Sequence, residues 1–220
     1  MIAFEDLPHI DAVIISHNHY DHLDLPTLRR LNAAHQPLFI VGERQAALLK
    51  EAGLARVQEL NWEGSVVLAD GYSIHGAPSQ HWTGRSIGDR NQTLWMSYVL
   101  ASRAGKVYFA GDTGYGRQFL QAQARFGGFR LALLPIGAYK PRWLTDFQHM
   151  DPCEALRAHR ELRAAESVAI HYGTFELSDD GQTEPIQELA RCVQQEALST
   201  NAAPFRVLSF GQGYDVPTLK

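Results

Sequence analysis

The chain has 220 residues, enough for one sizeable core and short for two. Apolar residues make up 45% of it and charged residues 20%, with a formal net charge of −4, the balance of an ordinary globular protein. Acids and bases are interspersed and no basic run offers a patch for nucleic acid, and no stretch approaches the ~18 apolar residues that span a bilayer.

The N-terminal run Met1-Ile-Ala-Phe-Glu-Asp6 is acidic and lacks a signal pattern, so the chain reads as cytoplasmic. Ala12 to Ser16 is β-branched and apolar and predicts a buried strand. Leu25 to Ala34 follows as a helix, with Leu28 and Leu31 on one face and Arg29 and Arg30 on the other. Leu38 to Val41 predicts a strand, and Glu43 to Ala52 a helix closed by Gly53. Val66 to Leu68, Tyr72 to Ala77 and Leu94 to Ala101 read as strands between turns, with a Gly/Arg/Asn-rich loop from Thr83 to Gln92. Lys106 to Ala110 is a strand running into Gly-Asp-Thr-Gly. A helix at Arg117 to Phe126 and a strand at Leu131 to Leu134 come next. Asp151-Pro152-Cys153-Glu154 has the acid cap, early proline and third-position glutamate of a helix start, and that helix runs to about Ala165. Ser167 to Ile170 is a strand, Glu184 to Leu198 a helix and Phe205 to Ser209 a last strand. With no repeats or linker, one α/β domain over residues 1–220 is the simplest account. Cys153 and Cys192 fall in predicted helices and read as two ordinary thiols, neither a disulfide nor a Cys-based zinc site.

The chemistry concentrates just past the first strand. Ser16-His17-Asn18-His19-Tyr20-Asp21-His22 places His17, His19, Asp21 and His22 in a loop leaving a rigid strand end. Imidazole nitrogen and carboxylate oxygen both suit Zn²⁺, and the spacing supplies a His pair for one ion and an Asp-His pair for a neighbour. Each ion wants further ligands. His81, Asp112 and His171 each lie just beyond an apolar strand, Asp112 between Gly111 and Gly114, which allow close backbone approach. His9, His35, His75 and His159 lack such a context and read as structural or solvent-facing.

His-x-His-x-Asp-His followed by a His, an Asp and a His at successive strand ends resembles the metallo-β-lactamase-fold superfamily of metal hydrolases. Ser-His-Asn-His-Tyr-Asp-His-Leu-Asp (16–24), Gln-His-Trp (80–82), Gly-Asp-Thr-Gly-Tyr (111–115), Pro-Ile-Gly-Ala-Tyr-Lys-Pro-Arg-Trp (135–143) and Gln-His-Met-Asp-Pro (148–152) are similar to its branch containing N-acyl-phosphatidylethanolamine-hydrolysing phospholipase D and bacterial relatives. The resemblance spans Asp6 to about Phe210. It implies a four-layer αββα sandwich with His17, His19 and His81 on one metal, Asp21, His22 and His171 on the other, and Asp112 bridging. Members usually carry several strands before the His-rich loop, which sixteen preceding residues do not supply. The expectation is therefore a chain lacking those strands, either a piece of a longer one or covered at its opened edge by another copy.

Two ions sharing such a site would hold a hydroxide between them and lower the pKa of its parent water toward ~7. The expectation is a two-zinc hydrolase, with Mn²⁺ or Fe also fitting, in which Asp21 and Asp112 orient the hydroxide and His149 assists the leaving group. Arg85 and Arg142 would grip a phosphate, and Tyr139 and Tyr20 would face substrate. A phosphodiesterase of phospholipase D type leads. A lactone or carboxyl-ester hydrolase and an inactive metal-binding module are the alternatives. The expected partner is a small or lipid-like ester, with no nucleic acid, no transmembrane segment and at most peripheral membrane contact.

Overall fold

The apolar run after Asp11 forms β1 (Ala12–Ile14), which leads into α1 (Leu25–His35), β2 (Leu38–Gly42), α2 (Ala46–Glu51) and β3 (Val57–Leu60). β4 (Ser65–Val67), β5 (Ser73–Ala77), β6 (Ser97–Ser102) and β7 (Gly105–Phe109) follow, then α3 (Gln118–Phe126), β8 (Leu131–Pro135) and α4 (Arg142–Thr145). α5 (Pro152–Glu161), β9 (Ser167–Ile170), α6 (Glu184–Ala197) and β10 (Phe205–Arg206) complete the order. This computed structural model describes residues 2–197 and 203–219, so the predicted helix end at Leu198 lies outside the described residues. β3 and α4 were not expected. Polar Gln58 and Glu59 mask the strand, and α4 is too short to show a periodicity. The last strand is shorter than its apolar run.

Local chemistry accounts for the helix starts. Asp24 caps α1 by accepting from Thr27 N at 2.9 Å, and Asp151 and Glu154 form a reciprocal capping box on α5. Each such cap is worth ~1 kcal/mol.

β1, β2 and β3 make a three-stranded parallel sheet. The other strands form a seven-stranded sheet in the order β10-β9-β8-β7-β6-β5-β4, antiparallel from β4 to β7 and parallel from β7 to β10. Three apolar clusters show how these elements stack. Leu28 of α1 and Leu49 of α2 pack on Phe39 and Val41 of the small sheet. The small sheet's Ile40 and Leu60 meet Ile74 and Tyr98 of the large one. On its far side the large sheet packs Tyr108, Ala132 and Leu134 against Phe119, Ala155 and Leu189 of α3, α5 and α6. The result is the αββα sandwich, helices outside and two facing sheets within. Full burial of each large apolar side chain contributes ~1.5–3 kcal/mol, so these contacts hold the strand ends rigidly.

That rigidity bears on function because the carboxyl ends of β1, β7 and β9 converge on one edge of the sandwich. There Met96 N donates to Ser16 O at 2.8 Å and Tyr98 Oη to Ile15 O at 3.0 Å, tying the two sheets together beside His17. Crevices at the carboxyl ends of parallel strands are where α/β sheets bind ligands.

One expectation is corrected. Cys153 of α5 and Cys192 of α6 are joined by a disulfide, with Cα atoms 5.5 Å apart. Two cysteines without a spacing pattern announce no pairing; packing of α6 along α5 creates it. Closing a loop of sequence separation 39 restricts the unfolded chain by about 3–4 kcal/mol. Cys192→Ser, or a dithiol reductant, is expected to lower the unfolding free energy by about that amount. Urea denaturation with and without reductant checks this, and coincident midpoints would contradict it.

Candidate metal centre

β1 continues through Ile15 and Ser16 into His17, which is 1% exposed and lies with Nδ1 3.0 Å from Ser16 Oγ. His17 Nε2 sits 2.8 Å from His19 Nδ1, and His81 Nε2 reaches the same His19 atom at 3.3 Å. The His81 Nδ1–H donates to Gln148 O at 3.0 Å, which fixes the tautomer and leaves Nε2 bare toward the centre. Beside this trio stands a second group. Asp21 Oδ2 lies 3.1 Å from His22 Nε2 and 3.5 Å from His171 Nε2. Asp112 Oδ2 lies 3.2 Å from each of the same two nitrogens, and also 3.9 Å from His17 Nε2 and 3.7 Å from His81 Nε2. One carboxylate thus faces both groups.

Two backbone positions make this convergence feasible. Gly111, between β7 and Asp112, has φ +60°, and a Cβ there would stand 2.5 Å from Ser16 Cβ. His171 itself adopts φ +59° at the end of β9, a left-handed conformation costing on the order of 1–3 kcal/mol in a non-glycine residue. Gly137 packs against the resulting bend, where a Cβ would meet His171 O at 2.2 Å.

The electrostatics divide along the same line. Burial, helped by neighbouring imidazoles, holds His17 and His19 below the ordinary histidine range and brings His81 down to about 3. These rings are neutral, the form that binds metal. Burial would also lower His22 and His171, but the charge of Asp112 overrides it and pushes them up to about 9 and about 10. Burial would raise Asp112 and Asp21, and the same two histidines hold both well below the carboxylate range. Even so, His19 Nε2 and Asp112 Oδ1 are buried without a hydrogen-bond partner. Orphaned buried polar atoms converging from separate strand ends are costly unless a cation satisfies them. His17, His19 and His81 form one group that could hold a metal ion, and Asp21, His22, Asp112 and His171 another, with donor atoms in each within 4.8 Å of one another. The residues fit a pair of metal ions with nitrogen and oxygen donors.

The remaining predicted site residues divide. His149 joins the centre: its half-buried ring lies 5.6 Å from that of His171 and 5.1 Å from that of His81, with Nδ1 unpartnered. Burial takes it down to about 4, so it stands as a neutral imidazole. Arg85, Arg142, Tyr139 and Tyr20 are otherwise engaged. Arg85 Nη1 donates to Asn18 O and Leu23 O, and Arg142 donates to His149 O at 2.8 Å and Glu154 Oε2 at 2.9 Å. Tyr139 is buried with its hydroxyl on Glu184, and Tyr20 donates to Arg85 O. None of the four lines the two clefts beside the centre. Backbone carbonyls within reach satisfied these guanidinium groups before any substrate could. His75 and His159 are structural, bonded to Ser73 and Ser167. Sequence reasoning missed Gln148, whose contribution is a carbonyl, and Trp82, whose ring packs 4.1 Å from that of His19.

A cleft of about 450 Å³ opens beside Asp21, His22 and His171. Its lining includes Ile170, Phe175, Leu177, Leu208 and Phe210, and contains no lysine or arginine. A second cleft of about 470 Å³ shares Ala138, Leu177 and Ser178 with it and reaches His149.

Comparison with known proteins gives the family. The family profile described as "Beta-lactamase superfamily domain" matches residues 2–172. The chain belongs to the beta-lactamase superfamily. Within it, the chain is 37% identical over 190 residues to the mitochondrial N-acyl-phosphatidylethanolamine-hydrolyzing phospholipase D of Saccharomyces cerevisiae, covering 84% of this chain and 41% of that protein. It is also 37% identical over 186 residues to N-acyl-phosphatidylethanolamine-hydrolyzing phospholipase D 1 of Caenorhabditis elegans, covering 80% and 52%. The chain thus spans about half the length of these curated relatives. Among solved structures, a metallo hydrolase from the archaeon Ignicoccus hospitalis superposes with a TM-score of 0.70 at 24% identity, covering 92% of this chain and 77% of that one. That likeness shows the shared superfamily fold.

Metal binding at the centre should stabilise the fold by mass action. Zinc at about a hundred times its Kd is expected to add about 2.7 kcal/mol, or roughly 5–10 °C in unfolding temperature for a chain of this size. His17→Ala should lose most of that shift in a thermal melt. A shift of undiminished size would contradict the placement of His17 among the donors.

Proposed function

We propose that the chain is a two-metal hydrolase of the phospholipase D type, acting on the phosphodiester of a lipid-like molecule. The observation that carries this reading is the juxtaposition of two donor groups sharing Asp112 with a cleft lined in part by Ile170, Phe175, Leu177, Leu208 and Phe210 and free of lysine and arginine. His17, His19 and His81 would hold one ion, and Asp21, His22 and His171 the other, with Asp112 between them. Zinc suits these donors best. When bound, the ions supply an activated water and stabilise negative charge on the attacked centre.

The chain's own residues then do the selecting. Asp21 and Asp112, both held as carboxylates, would orient the attacking water by accepting hydrogen bonds from its O–H groups. His149, neutral and with a free ring nitrogen, offers a hydrogen bond to the departing oxygen instead of a full positive charge. Phe175, Leu177 and Phe210 give an apolar arm of the substrate somewhere to lie, and exclude water around the reacting bond. With neither lysine nor arginine in its lining, this cleft offers no side-chain cation outside the centre to grip a second, free anionic group, which disfavours nucleotides and sugar phosphates. Phe175, Leu177 and Phe210 of the first cleft and Leu144 of the second are exposed apolar side chains of the kind that rest on a lipid surface. The similarity to N-acyl-phosphatidylethanolamine-hydrolyzing enzymes supports the same substrate class.

Parallel turnover of bis-p-nitrophenyl phosphate, N-acyl-phosphatidylethanolamine in mixed micelles and an acyl lactone tests the reading. Chelator-sensitive turnover of both diesters is expected, the lipid being preferred. Metal-dependent turnover of the lactone alone would transfer the assignment to carboxyl-ester hydrolysis. In the same assay His149→Ala should lower kcat on the order of 10²-fold with metal content unchanged. An unchanged kcat would remove His149 from the mechanism.

A further inference from the structure

The segment carrying His17, His19, Asp21 and His22 has little internal structure; its main internal bonds run from His22 N and Leu23 N to His19 O, at 3.1 and 2.8 Å. Its two ends are held from outside by a single side chain. Arg85 Nη1 donates to Asn18 O at 2.9 Å and to Leu23 O at 2.8 Å, the carbonyls that bracket His19, Asp21 and His22. The guanidinium carbon lies 3.9 Å from the centroid of the Tyr20 ring, and Tyr20 Oη donates back to Arg85 O at 3.0 Å. Gly84 N adds a bond to the buried Asn18 Oδ1 at 2.9 Å. Arg85 is itself anchored, since its backbone N–H and that of Ser86 donate to the Asp89 carboxylate at 3.0–3.1 Å. Asn91 N closes the brace onto Thr83 O at 2.8 Å.

We infer that Arg85 is a positioning residue for the metal centre, clamping both ends of the ligand loop so that His19, Asp21 and His22 are set before a metal ion arrives. The inference rests on the reading of these residues as ligands. Its sign separates it from simple electrostatics. A guanidinium near a dication site repels the ion, so loss of the charge alone would tighten metal binding. Loss of the clamp loosens it, because the ion must then order the loop itself. Outer-shell groups that orient ligands typically govern metal affinity by 10–100-fold. Lysine can reach a carbonyl but has no planar fork to lie over Tyr20, so it replaces only part of the clamp.

The test is the zinc affinity of the metal-free full chain, by competition with a chromogenic chelator, for the unaltered chain, Arg85→Ala, Arg85→Lys and Arg29→Ala. Arg29 serves as the control because it bonds a single distant carbonyl, Ala52 O at 3.0 Å. Arg85→Ala is expected to weaken zinc binding on the order of tenfold or more, Arg85→Lys to fall between, and Arg29→Ala to match the unaltered chain. Arg85→Ala binding zinc as tightly as the unaltered chain, or more tightly, would overturn the clamp while leaving the metal centre standing. An unaltered chain that takes no zinc would overturn the ligand reading and the clamp with it. Should metal-free Arg85→Ala fail to fold by circular dichroism, Tyr20→Ala decides. Tyr20 is exposed, and its loss should still weaken zinc binding severalfold; an undiminished affinity would overturn the proposal.

Discussion

Asp112 is the constraint around which the rest is arranged. Its carboxylate is buried among imidazoles from three separate segments, and one of its oxygens lies within 3.9 Å of His17, His22, His81 and His171 alike. A carboxylate in that position cannot be solvated by water, so its charge must be met by the groups around it. In the absence of an ion, His22 and His171 meet it by holding protons. Cations would do the same more completely, while also satisfying the orphaned His19 Nε2 and Asp112 Oδ1. The left-handed His171, the cramped Gly111 and the braced loop are all local costs accepted to bring donors to this point.

The architecture explains how a chain can sustain such a centre. The candidate donors come from ends of strands whose other residues are locked into two apolar interlayers, so their positions are set by packing and only secondarily by the loops. The histidine-rich loop after β1 is the exception, having no ladder of its own, and it is there that other side chains gather around it: Arg85 from outside, Trp82 against His19 and Ser16 beside His17. The cleft lined by Phe175, Leu177 and Phe210 opens beside Asp21, His22 and His171.

Much of this was legible in the sequence because the relevant signals are local. Strand ends are marked by where β-branched runs stop, and a His or Asp at that point has one direction to go. His17, His19, Asp21, His22, His81, Asp112 and His171 could be singled out, and the structure brings all of them together. What was not legible depends on distant partners. Arg85 and Arg142 look like phosphate ligands until the carbonyls that capture them are known. The Cys153–Cys192 bond depends on the packing of α5 against α6, which no spacing encodes. β3 escaped because its polar faces resemble a loop, and Gln148 because a carbonyl has no residue type.

The most direct test is anomalous diffraction at the zinc absorption edge from crystals grown with zinc. The account predicts two anomalous peaks, one against His17, His19 and His81 and the other against Asp21, His22 and His171, with the Asp112 carboxylate between them. Peaks confined to other parts of the molecule, or none at these side chains under saturating zinc, would contradict it.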